Sequence, residues 1–246
     1  MSAVLATATW SGPVARTVLA CCIPMAAAAC GSTWASRRPP GAKVRSAIQH
    51  FAAGLVFAVA AAELIPDLKE DHRTAAVIAG FSIGVAVMLA IDVAAERFGR
   101  GPSSMAPTLV VTGIDLVVDG LLLGIAFSDG GAVGPLLTLA LTMEMLGLGV
   151  AVALVLIAAG VGSVRTVAMT FALSCCVLLG GVLGASTLSN LGADALSVVL
   201  AFATAALLYL VTEELLTEAH ETEDTPLLTA TFFVGFLLIL VLSFNA

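Results

Sequence analysis

The stretch GIDLVVDGLLLGIAF, residues 113–127, decides how the chain is read. Its leucines, valines, isoleucines and glycines belong in a bilayer, yet Asp115 and Asp119 interrupt them. A carboxylate at mid-bilayer costs about 2.5 to 3.5 kcal/mol on insertion scales. Four residues apart, the two acids lie on one helical face, one turn from each other. As bare neighbours in apolar surroundings they repel, and a cation, a proton or a basic partner is needed to relieve them. Apart from Arg16, and Arg165 at the first position of one segment, no Lys or Arg falls within an apolar segment. A protonated, hydrogen-bonded pair that glues two helices is the structural alternative. Gly113, Gly120 and Gly124 flank the pair, and small residues let a neighbouring helix come close.

The rest of the chain matches this stretch. Of 246 residues, 60% are hydrophobic and 11% charged, and the mean hydropathy is +1.09. A soluble domain has about 25% charged residues. The net charge of −7 comes from acids inside apolar runs and in short tails, and no basic patch suits nucleic acid. About 20 apolar residues cross the hydrocarbon as a helix. Eight segments qualify, near 13–35, 47–67, 75–95, 107–128, 133–161, 165–189, 195–217 and 226–245. The expectation is an all-α integral membrane protein, with residues 1–246 as a single transmembrane domain. The first segment is the weakest, with Arg16 and Pro24 inside it, and Arg16 is expected to reach for an interface. Its outline resembles a signal peptide, but ATATW ahead of Arg16 is not a basic leader, so it reads as a first helix.

Lys and Arg in short loops set orientation. Arg37, Arg38, Lys43 and Arg45 follow segment one, Arg97 and Arg100 follow segment three, and Arg165 lies between five and six. With alternating helices these share one side. That side is read as the cytoplasm, with both termini outside and the plasma (inner) membrane as the location.

Further acids lie in or at the edges of the spans. Glu144, in LTMEMLGLGVAV, is well inside segment five, with Gly147 and Gly149 after it. Two adjacent helices then present three carboxylates to one point, a donor set for hard or borderline divalent cations. Glu213 and Glu214 end segment seven, and Glu63 nears the end of segment two; all three also suit an interface. Met88, Met143 and Met145 read mainly as packing. His50, His72 and His220 lie at span ends or in loops. Cys21, Cys22, Cys30, Cys175 and Cys176 form no CxxC and read as small core residues.

With these residues in view, the chain resembles the ZIP (Zrt/Irt-like protein) family of divalent-metal transporters. HFAAGLVFAVAAAELIPDL is similar to that family's second helix, AFATAALLYLVTEELLTEAHE to its seventh and FFVGFLLILVL to its eighth. DLVVDG stands where the family has HNxPEG in helix four. Asp115 takes the His position and Asp119 the Glu position, while Leu116 and Val118 replace Asn and Pro. In helix five EMLGLG aligns best, with Glu144 at the first ligand position and Met145 and Leu148 where a second metal's acids stand. Glu214 aligns with the family's helix-seven acid, and Met88 falls loosely at a helix-three position near the site. The resemblance implies metal ligands Asp115, Asp119, Glu144, Glu214 and Met88, and one principal metal. It implies Zn, Mn or Fe as transported substrate and not as cofactor, moved toward the cytoplasm by four site-bearing helices working against the others. The partners are divalent ions, the lipid bilayer and a second copy in a homodimer. A non-transporting metal sensor or scaffold, and a proton or cationic-solute transporter, are the alternatives on the same frame. No nucleophile–base pair or cofactor motif points to an enzyme.

Overall fold

In lipid every backbone N–H and C=O must be satisfied within its own segment, so long apolar stretches become helices. In the computed structural model, which describes residues 12–70, 73–97, 105–129, 133–187, 192–221, 223 and 225–244, each of the eight apolar stretches is helical. Helix α1 is Pro13–Arg37. Helix α2 runs through Ala42–Val59, a π turn Ala60–Leu64 and a last piece Ile65–Glu70. Next come α3 (Thr74–Arg97), α4 (Met105–Asp129), α5 (Val133–Ala158) and α6 (Ser163–Thr187). Helix α7 comprises Ala193–Tyr209, a π turn Leu210–Leu215 and a last turn Leu216–Ala219, and α8 is Pro226–Ser243. No strand occurs among the described residues. Arg100 and His72 lie outside them.

The two π turns have local causes. Pro66 has no N–H, and its ring crowds the carbonyl one turn back, so α2 widens just upstream of it. In α7 the Thr212 hydroxyl donates to the Leu208 carbonyl at 3.0 Å and the Tyr209 carbonyl at 3.2 Å, serving backbone oxygens beside the widened turn. Both π turns carry glutamates: Glu63 in α2, Glu213 and Glu214 in α7.

Seven of the helices, all but α4, are long and apolar enough among the described residues to cross a membrane. They pack as two groups. In one, α4 lies along α6, and α1 lies along α5 and α6. In the other, α8 lies along α2, α3 along α7, and α2 meets the end of α7. The groups meet chiefly where α2 crosses α5.

Close approach binds the first group. A Cβ added at Gly120 would run into the Val177 carbonyl of α6, and one at Gly149 into the Ala28 carbonyl of α1. Backbone thus lies directly on backbone, as small residues allow in membranes. Gln49 donates to Glu218, and the Ser46 hydroxyl donates to the Ala219 carbonyl at 2.8 Å. The start of α2 and the end of α7 therefore share one end of the bundle with Lys43 and Arg45, called the basic end below. At the far end an Arg73–Asp194 ion pair joins the starts of α3 and α7.

Candidate metal centre

Helix α4 presents Asp115 and Asp119 from either side of its midpoint, and α5 presents Glu144 from its middle. One carboxylate oxygen from each lies within 4.8 Å of the others. This is the one such group of three or more His, Cys, Asp or Glu among the described residues. Asp115 is 8% exposed, Glu144 4% and Asp119 1%. Both carboxylate oxygens of Asp119, and Oε2 of Glu144, are buried without a hydrogen-bond partner. Buried polar atoms are nearly always paired, and carboxylates inside a membrane bundle more so. Orphaned oxygens converging on one point have the form of a cation site.

A cavity of ≈540 Å³ runs from this centre to the basic end. Asp115 and Glu144 are at its floor, with Thr112 beside them; Glu213, Glu214, Glu218 and Glu221 line the α7 wall. No Lys, Arg or His is among the lining residues. On the far side Leu122 and Ile125 of α4, Val133 and Leu137 of α5, Leu64 of α2 and Leu207 of α7 close together. They leave a void of ≈10 Å³, at most room for one water. The centre is thus reached from one end and sealed by apolar side chains from the other.

The acids singled out from the sequence fall into different places. Asp115, Asp119 and Glu144 converge, while Glu214 lines the cavity outside that group of three. Met88 is 2% exposed in the apolar core on α3 and does not line the cavity. Glu63 is half-buried, with Oε1 buried and without a hydrogen-bond partner. Leu116 and Met145 are fully buried apolar side chains, and Leu148 lines the cavity. His50 is buried at the basic end, where its Nδ1 bonds the Ser46 carbonyl at 2.9 Å and its ring meets that of His220 edge-on. Gln49, Thr112, Glu218 and Glu221 were not singled out from the sequence. The spacing of Glu214 and Glu218, four residues, is the signal that one helical face carries both, and Glu221 follows in the turn just beyond α7.

Comparison with known proteins finds no matching family model and no matching curated protein. Fold and composition define the class: a helical membrane protein. Within that class its distinguishing feature is a buried three-carboxylate centre open toward one end.

Proposed function

We propose that the chain is a divalent-metal transporter of the ZIP type, with eight spans including α4. The observation that carries this reading is the convergence of orphaned carboxylate oxygens of Asp119 and Glu144 with Asp115 at the floor of a one-sided cavity. A divalent ion there offsets three negative charges with two positive ones. Protons take its place when it leaves, since carboxylate ligands exchange protons for metal. Glu213, Glu214, Glu218 and Glu221 give the cavity a negative field that concentrates cations.

The basic end is the cytoplasmic end by the Lys/Arg bias, so this conformation faces the cytoplasm and both termini lie outside, in the plasma (inner) membrane. All three ligands ride on α4 and α5, which belong to the same tightly packed group. Sliding or rocking of that group against α2, α3, α7 and α8 along the α2–α5 seam would open the apolar seal and close the cavity. Alternating these two states carries cargo across the membrane, with import toward the cytoplasm as the proposed direction, Zn, Mn or Fe as cargo and a homodimer as the assembly.

The test is uptake of Mn²⁺ and Zn²⁺ into proteoliposomes. Wild type is expected to accumulate metal, and a folded Asp119→Ala variant to fall to the level of empty liposomes. Folded wild type that binds metal but moves none would leave the sensor or scaffold alternative. Uptake abolished by organic cations and indifferent to metals would favour a cationic-solute carrier.

A further inference from the structure

We infer that this centre takes a hard, six-coordinate cation of the Mn²⁺ and Mg²⁺ kind, held with part of its water shell, and not a dehydrated tetrahedral ion. The inference rests on the metal-transport reading and specifies its cargo. The first argument is the donor set. The three converging groups are all carboxylates. His50 and His220 meet each other at the basic end, outside the converging group. The Cys21 thiol faces the Val177 carbonyl of α6. The one sulfur on the cavity wall is the Met143 thioether, a soft donor suited to neither Mn²⁺ nor Mg²⁺. Zinc sites are built mainly from His and Cys in a closed tetrahedron, whereas Mg²⁺ and Mn²⁺ accept oxygen alone.

The second argument is where the donors stand. Asp119 is 1% exposed and absent from the cavity wall, while Asp115 and Glu144 form part of that wall. Protein oxygens therefore occupy one side of the ion and open volume the other. A cavity of ≈540 Å³ is roomy enough for many waters. Mg²⁺ sheds water reluctantly and is usually held by one or two carboxylates with several waters retained. A half-shell of carboxylates facing a wet cavity fits that habit. The buried, partnerless oxygens of Asp119 are an observation separate from the clustering of acids, and they leave donor atoms free for a cation on the protein side of its shell. Zn²⁺ still binds an oxygen site more tightly than Mn²⁺ in absolute terms. The discriminating quantities are therefore coordination and the ratio of affinities.

The experiment uses the full chain in lipid nanodiscs with Mn²⁺ as the probe, followed by electron paramagnetic resonance with isotopically labelled water. Bound Mn²⁺ is expected to keep about two or three exchangeable inner-sphere waters, to show no nitrogen coupling, and to be displaced by Mg²⁺. Asp115→His is expected to add a nitrogen coupling and to raise the Zn²⁺/Mn²⁺ affinity ratio at least about tenfold. Bound Mn²⁺ without inner-sphere water, or nitrogen coupling in the wild type, overturns the inference. Zn²⁺ binding without Mn²⁺ binding overturns it as well and leaves the transporter reading standing. A folded wild type that binds no divalent ion overturns both. The wild-type spectrum decides the matter even where Asp115→His fails to fold.

Discussion

Helix α5 has two unlike faces only two residues apart. Gly149 lies against the Ala28 backbone of α1, where a single added carbon has no room. Gly147 faces α2, where a Cβ would meet Ile48 Cγ2 at 3.5 Å, an ordinary contact. The first face joins helices of one group, backbone to backbone. The second faces the seam between the groups, where side chains and a cavity fill the space. Interfaces built on backbone contact have one geometry, whereas side-chain interfaces can settle into more than one. The contrast assigns rigidity to the group carrying Asp115, Asp119 and Glu144, and adjustability to the seam beside it.

The sharpest attack on this contrast is Gly149→Leu. Overpacking against the α1 backbone is expected to cost about 3 kcal/mol or more and to abolish cooperative thermal unfolding of the purified protein. A variant as stable as wild type would mean that the α1–α5 contact is as pliable as the seam.

Asp119→Asn comes next and separates function from folding. Removing one of the crowded charges is expected to leave the metal-free protein as stable as wild type or more so. The same change is expected to lower Mn²⁺ affinity about 100-fold, or ~2.7 kcal/mol, read as loss of metal-induced thermal stabilisation. If the acids are instead a protonated hydrogen-bonded glue, the variant loses stability without metal, and metal stabilises neither protein.

Acidity gives a smaller, graded effect. On the metal-transport reading the ligands bind as carboxylates, so binding releases protons and added protons oppose it. Metal-induced stabilisation is therefore expected to be largest at neutral pH and to shrink as pH falls, at constant metal concentration. An unchanged shift down to about pH 4, within the ordinary carboxylate range, would contradict carboxylate ligation.

Glu218→Gln removes a cavity-wall charge outside the converging group. It is expected to change metal affinity by about threefold or less, with a larger effect at low salt than at high salt. Gly147→Ala is expected to do least, within about 0.5 kcal/mol of wild type in stability. A loss comparable to that of Gly149→Leu would erase the difference between the two faces.

Much of the local architecture was legible in the chain. The apolar runs mark the helices, and Asp115 and Asp119, four residues apart, had to share a face. The π turns were not read, although Pro66 and Thr212 are local cues to them. The use of the glycines was only half legible. Gly120 and Gly124 signalled a close neighbour, but that neighbour is α6, not the α5 that supplies Glu144. Glu213 and Glu214 looked like the charged end of a span, yet they line the cavity.

By itself the sequence determined a chain of lipid-compatible helices with three carboxylates whose burial has to be compensated. The tertiary structure decided that α4 and α5 bring them together, that α2 and α7 wall the approach, and that leucines close the far side. The physical reason is that a helix apolar all round carries little hydrophobic periodicity to tell its inner face from its lipid face. Its neighbours are chosen by shape, through the small residues that let backbones touch, and that choice exists only once the helices are packed.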